Sequence, residues 1–180
     1  MTQPLISDAY RAQQTALHAD NAGYGSASVS MAPLVARVAR LTRADAILDY
    51  GAGKQRLAVE LAKHIDDPMP IRAYDPAVPE IASPPEPADM VACIDVLEHI
   101  EPDYLDAVID DLARVTRKNL IASIASGPAI KTLSDGRNAH LIQQPAEWWL
   151  PQLWRRFTVL DFSHLPHDRF WLRAIVKRGE

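Results

Sequence analysis

Apolar residues in this chain fall into two signatures, short unbroken runs and stripes at helical spacing, and their alternation orders the sequence. Ile47 and Leu48 form one such run, which turns on Gly51 and Gly53. Leu57, Ala58, Leu61, Ala62 and Ile65 then recur at helical spacing. The pattern predicts a strand, a glycine turn and a helix. Upstream, Ser7 or Asp8 caps a helix reaching about His18, with Ala9, Ala12, Ala16 and Leu17 as its apolar face. Asp20 to Ser28 is a run of small and turn-forming residues. Ser30 then caps a second helix, with Pro33 in its first turn and Leu34, Val35, Val38 and Leu41 on one stripe.

Downstream, seven of the fourteen prolines fall between Pro68 and Pro87, which excludes a regular helix there. Within that interval, Ile71 to Asp75 reads as a second short strand ending in an acid. Asp89 to Asp95 is a third strand, apolar through its middle as a central parallel strand should be. Pro102 opens an amphipathic helix with Leu105, Val108, Ile109, Leu112 and Val115 facing inward, and Leu120 to Ile124 is a fourth strand. Gly127 to Leu141 reads as a loop with one helical turn near Ala129 to Leu133. Glu147 to Arg155 reads as a tryptophan-rich helix. Phe157 to Phe162 and Phe170 to Val176 are two closing strands, separated by a hairpin-length loop from Ser163 to Arg169. The order predicts an α/β sheet, mostly parallel, with an antiparallel C-terminal strand pair. With 180 residues and no repeat or linker, residues 1–180 read as a single domain: N-terminal helices over 1–43 and an α/β core over 44–180.

Composition narrows the function classes only a little. The formal charge is −4 and the pI about 5.8, which gives no general attraction to polyanions. A nucleic-acid partner stays open through a local basic patch. The single cysteine, Cys93, lies in an apolar run and reads as a small core hydrophobe. No basic region followed by an apolar core opens the chain, and no apolar run is long enough to span a bilayer, so the expected location is cytoplasmic, without membrane attachment.

The candidate chemistry gathers at the glycine turn. Gly51 and Gly53 bracket Ala52, and glycine admits both positive φ and close approach of a ligand. Asp75 lies twenty-four residues after Gly51, where a carboxylate at a strand end can accept bonds from both hydroxyls of a ribose. Asp49 is costly at the end of an apolar strand unless backbone amides of the turn, or a ligand's ammonium group, satisfy it. Asp95 and His99 follow the central strand, at the sheet edge where α/β folds bind ligands. His140 stands in a polar loop segment, Gly136 to Leu141.

These residues resemble the class I S-adenosylmethionine-dependent methyltransferases. Leu48-Asp49-Tyr50-Gly51-Ala52-Gly53 resembles the family's first motif, and Asp75 the acid that closes its second strand. Asp89 to Ile100 resembles its fourth-strand motif, and the closing strand pair resembles its terminal β-hairpin. The match runs from about residue 31 to 177. Two departures stand out: Gln55 occupies the place of the family's third glycine, and Asp89 comes only fourteen positions after Asp75, too few for the usual helix and third strand. The resemblance therefore implies a shortened, Rossmann-like doubly wound sheet of about six strands.

The resemblance also implies S-adenosyl-L-methionine as cofactor, with Asp49, Gly51, Ala52, Gly53, Asp75 and Asp95 as its contacts. His140 and His99 are the candidate catalytic residues, His140 for substrate contact or proton removal. Tyr24 and Gly25 are candidates for a lid, and Trp148 or Trp149, if exposed, for stacking on a flat substrate. Neither the aminomethylating Asn/Asp-Pro-Pro-Tyr/Phe segment nor a Pro-Cys nucleophile occurs, which favours a small-molecule acceptor. A methyltransferase acting on nucleic acid, a catalytically silent binding module and a nicotinamide-dependent oxidoreductase are the alternatives. The histidines and acids form no metal-ligand pattern in the sequence, so no metal is expected.

Overall fold

The computed structural model describes residues 3–20, 27–65 and 69–177. Six strands form one sheet in the order β2-β1-β3-β4-β6-β5: β1 Ile47–Tyr50, β2 Ile71–Tyr74, β3 Ala88–Ile94, β4 Thr116–Ala125, β5 Phe157–Leu165 and β6 Arg169–Val176. The first four run parallel, while β6 lies antiparallel between β4 and β5. This is the six-stranded mixed sheet expected from the pattern. The strand order reverses between β1 and β3. The crevice at their carboxyl ends is therefore the switch point at which open α/β sheets bind ligands.

Helices cover both faces, and this is why the central strand is apolar throughout. α2 (Ala27–Thr42) and α3 (Arg56–Leu61) pack on Ile47, Met90, Ala92, Ile94 and Ile121. α4 (Leu105–Val115) and α5 (Ala146–Trp154) pack on Leu48, Val91, Cys93, Leu120 and Ala122. Alternate residues of each strand thus meet opposite layers, as a pleat of period two requires. All seven positions of β3 are buried, Cys93 among them. No helix among the described residues is long and apolar enough to cross a membrane.

Several elements differ from the sequence reading. α2 begins at Ala27, before Ser30, so Pro33 sits inside the helix and removes the N–H that Val29 would have received. α3 stops at Leu61, after six residues, although the apolar spacing continues to Ile65. The expected loop from Ser163 to Arg169 shrinks to Pro166, His167 and Asp168. β5 stays paired with β6 through Leu165, and positive φ at His167 and Asp168 closes the hairpin.

The inward face of α1 (Asp8–Asp20) also differs. Tyr10, Gln14, Leu17 and His18 point in, while Ala9, Ala12 and Ala16 are exposed. Three alanine methyls bury too little area to outweigh one tyrosine ring. Ser7 caps this helix as expected, accepting the Tyr10 N–H at 3.1 Å, and is itself held by Glu101. The Tyr10 hydroxyl donates to the His99 carbonyl at 2.8 Å, which ties α1 across the carboxyl edge of the sheet. The interval after β2 holds only one short turn, Pro79–Ile81, before β3, so the expected loss of a helix and strand there is real.

Candidate active site

A cavity of about 980 Å³ lies at the switch point, at the upper end of the range for small-molecule sites. Its floor is the glycine turn after β1 and the ends of β2 and β3. Its roof is α1 on one side and the 127–141 loop on the other.

The glycine turn has a steric reason for its composition. Gly51 has φ +77°, and a Cβ there would stand 2.5 Å from a methyl of Val96. Gly53 has φ +46°, and its Cβ would stand 2.8 Å from the His18 ring. Gln55, at the family's third glycine, is itself left-handed at φ 56°, so the turn keeps the glycine conformation with a strained residue. The amides of Gly51 and Ala52 donate to the Tyr74 carbonyl at 2.8 and 3.0 Å, and that of Gly53 to Asp75 Oδ2 at 3.0 Å.

Those bonds decide the fate of two acids. Asp75 accepts from Gly53 through Oδ2 and from Ala77 through Oδ1 at 2.9 Å, with His18 Nε2 4.0 Å away. An ionised carboxylate offers about four acceptor sites, so two bonds leave capacity for a ligand. Asp49 receives none of the turn amides. Its side chain is buried, and Oδ2 has no partner among the described residues. Burial, with the charge of Asp75 second, pushes its carboxyl up to about 7. The amides of Gly51, Ala52 and Gly53, one of the two ways to satisfy Asp49, are thus taken by Tyr74 and Asp75. Burial holds His18 below its usual value despite Asp75, so this ring above the turn tends to be neutral.

Asp95 has a different environment. Held at φ 52°, it receives the Ser123 hydroxyl and both of its oxygens face Arg169, at 2.7 and 2.8 Å. Its carboxylate is engaged within the chain while the residue still lines the cavity. Neither Arg169 nor Ser123 carried a sequence signal, because both come from strands distant in the chain.

The loop that carries His140 is ordered by one side chain. Asn138 accepts the amides of Ala129 and His140, each at 2.9 Å, and donates to the Ala129 carbonyl at 2.8 Å. No helical turn forms near Ala129 to Leu133. His140 Nδ1 then meets the Gly127 carbonyl at 2.6 Å, and His99 Nδ1 the Ala139 carbonyl at 2.8 Å. The two rings stand edge to face, 4.8 Å between centroids, and both line the cavity. Burial first, then the neighbouring His140, pushes His99 down to about 4, so it is neutral near pH 7. Glu98, adjacent in sequence, is fully buried. One donor atom from each of Glu98, His99 and His140 lies within 4.8 Å of the others, a proximity that the sequence spacing did not show.

Other expected contacts fall elsewhere. Trp149 is fully buried in the core, Trp148 is packed against it and Trp154 is exposed; none lines the cavity, so none can stack on a ligand there. Tyr24 and Gly25 lie outside the described residues. Arg155 and Arg156 pair with Asp106 and Asp110 of α4, as a solvated helix end does.

No family model matches the sequence, and no curated protein matches it. Solved structures do. The 1,6-didemethyltoxoflavin-N1-methyltransferase of Burkholderia thailandensis, solved with 1,6-didemethyltoxoflavin and S-adenosylhomocysteine, matches with TM-score 0.68 and 16% identity, covering 99% of this chain and 94% of that one. The N-methyltransferase NodS of Bradyrhizobium japonicum WM9, solved with S-adenosyl-L-homocysteine, matches with TM-score 0.61 and 13% identity, covering 93% and 99%. The mitomycin 7-O-methyltransferase MmcR matches with TM-score 0.65 and 13% identity over 85% of this chain and 55% of that one. The chain therefore has the class I methyltransferase fold, with the shortened sheet described above.

Proposed function

We propose that this chain binds S-adenosyl-L-methionine at the carboxyl edge of β1, β2 and β3 and transfers its methyl group to a small molecule held beneath α1 and the 127–141 loop. The observation that carries the reading is the buried Oδ2 of Asp49, without a partner among the described residues, inside the same cavity as the glycine turn and Asp75. A carboxylate so placed is costly unless a cation joins it. The amino group of the cofactor's methionine part supplies that cation. Asp75, fixed by the Gly53 and Ala77 amides, has its remaining acceptor sites for the ribose hydroxyls. Gly51, Ala52 and Gly53 form the surface against which the cofactor lies. The neighbours that carry S-adenosylhomocysteine in this fold support the same assignment.

The bound cofactor supplies an already activated methyl group. What remains for the protein is alignment of the acceptor and exclusion of water. Tyr10, Gln14 and His18 roof the cavity from α1, and Ile6 and Ala139 seal it on the apolar side. His140, oriented by Asn138 and by the Gly127 carbonyl, faces the acceptor side. Its Nδ1 proton is spent on that carbonyl, so the Nε2 lone pair can receive a proton from the acceptor or orient it. His99 is a positioning residue, tied through Ala139 and the His140 ring. Asp95 takes part through its ion pair with Arg169, which fixes the cavity wall. The neighbours named for N- and O-methylation of small molecules support a small acceptor.

Incubation with methyl-tritiated S-adenosylmethionine and pools of phenols, catechols and N-heterocycles tests the reading. Labelled product is expected with the native chain, and His140→Ala should lower its formation roughly 100-fold or more while leaving S-adenosylhomocysteine affinity within a few-fold. Cofactor binding with no labelled product from any pool would favour the silent-module alternative.

A further inference from the structure

We propose that Glu98, His99 and His140 form a binding site for one divalent first-row transition-metal ion at the acceptor end of the cavity. Glu98 and His99 occupy the short turn Leu97–His99 directly after β3, at the carboxyl edge of the sheet. His140 comes down on them from the 127–141 loop. One donor atom of each lies within 4.8 Å of the others. Bonds of about 2.0–2.2 Å to nitrogen and oxygen put neighbouring ligand atoms roughly 3–3.5 Å apart, so small side-chain rotations close the set.

Three independent features prepare these residues for a cation. Both imidazoles point Nδ1 at a backbone carbonyl, Ala139 for His99 and Gly127 for His140. A carbonyl oxygen only accepts, so each neutral ring carries its proton on Nδ1 and its lone pair on Nε2. Metal-ligating histidines are oriented in this way, with the second nitrogen donating to a carbonyl or carboxylate. Glu98 is buried completely; Oε1 accepts the Ala125 amide at 2.9 Å, while Oε2 has no partner among the described residues. An unpaired carboxylate oxygen in the protein interior is costly, and a cation removes that cost. The frame is also rigid. The Glu98 carbonyl accepts the Ile142 amide at 3.0 Å and the His99 carbonyl accepts the Tyr10 hydroxyl, so loop and α1 both lock onto the turn.

Two imidazoles and one carboxylate select zinc, iron, cobalt or manganese over magnesium or calcium, and three protein ligands leave coordination positions open. Both histidine rings line the cavity, so those positions face the space assigned to the acceptor. On the methyl-transfer reading, the ion would hold an acceptor hydroxyl or amine and lower its pKa, and His140 would act through the ion. The site itself does not depend on that reading. A neutral, protonated Glu98 in a metal-free protein is the competing description.

The test uses the full chain stripped with a chelator and titrated with Co²⁺, followed by visible absorption and then by displacement with Zn²⁺. One equivalent bound, with affinity at least roughly tenfold weaker in both His140→Ala and Glu98→Gln and unchanged in the exposed-site control His164→Ala, is the expected result. Near-ultraviolet circular dichroism reports which variants fold, and His140→Ala, which removes a loop residue, remains informative if Glu98→Gln does not. Retained Co²⁺ binding in folded His140→Ala, or no binding by the native chain, would overturn the site. Calorimetry with S-adenosylhomocysteine on the same samples separates the two ideas: metal without adenosyl ligand upholds the site and removes the methyl-transfer reading, and the reverse removes the site alone.

Discussion

Asp49→Asn is expected to make the ligand-free protein more stable at pH 8.5, by up to about 4 kcal/mol, while removing most of its affinity for S-adenosylmethionine. The ordinary carboxyl value is 3.8, and burial with the nearby charge of Asp75 raises that of Asp49 to about 7 in the folded protein. Below the ordinary value both the folded and unfolded chains hold the proton, and the group costs nothing. Between that value and 7 the unfolded chain has lost the proton that the folded chain keeps. Stability therefore falls as pH rises across this interval, by about 1.4 kcal/mol for each pH unit, and the loss is complete above 7. An amide of the same shape has no such dependence. Urea unfolding of the native chain and the variant at pH 5 and pH 8.5 should show a gap that widens with pH. A gap that does not change would mean that Asp49 is not buried unpaired. The same substitution removes the negative charge that a ligand ammonium needs, so stability and binding move in opposite directions. That opposition marks a site prepared for a ligand at the expense of the empty fold.

Trp149→Ala is expected to cost about 3–5 kcal/mol, the usual range for emptying a fully buried aromatic position. Trp149 is completely buried with Leu153, Phe157, Phe170 and Leu172, where α5 meets the β4–β6–β5 side of the sheet. Its Nε1 has no hydrogen-bond partner among the described residues, so the loss is one of packing and of the cavity left behind. Trp154→Ala, at a position 48% exposed, should stay within about 1 kcal/mol. Denaturant midpoints of the two variants, at unchanged slope, measure the contrast. Equal losses would place the aromatic cluster on the surface, contrary to the packing described.

What the sequence revealed, and what it hid, follows the range of the interactions involved. Ile47–Gly53, Asp75 and the run from Asp89 to Ile94 declared themselves because strand burial, glycine conformation and acid placement are written in adjacent residues. The antiparallel pair was visible for the same reason, but its turn was not. Ser163 to Leu165 carry polar residues that read as loop, and only pairing with Phe170 and Trp171 keeps them in β5. The face of α1 is hard to read because three alanines outnumber Tyr10, Gln14 and His18 in the pattern, while contacts with the cavity and with His99 decide the orientation. Glu98 passed as one letter of a motif, and its meeting with His140 across forty-two residues left no local trace beyond the polar segment around Asn138. The Asp95–Arg169 pair, seventy-four residues apart, is of the same kind. Asp49 was legible as a problem, since an acid ends an apolar strand. That the turn amides would go to Tyr74 and Asp75 instead was not, because the competing acceptors come from the next strand.

Isothermal titration of the full chain with S-adenosylhomocysteine tests the central claim most directly. Saturable binding of one equivalent, weakened at least roughly tenfold in Asp75→Ala, is the predicted result, with the fold of both proteins checked by their thermal transitions. A folded native chain that takes up no S-adenosylhomocysteine, or an Asp75→Ala protein that binds it equally well, would contradict the assignment of this cavity.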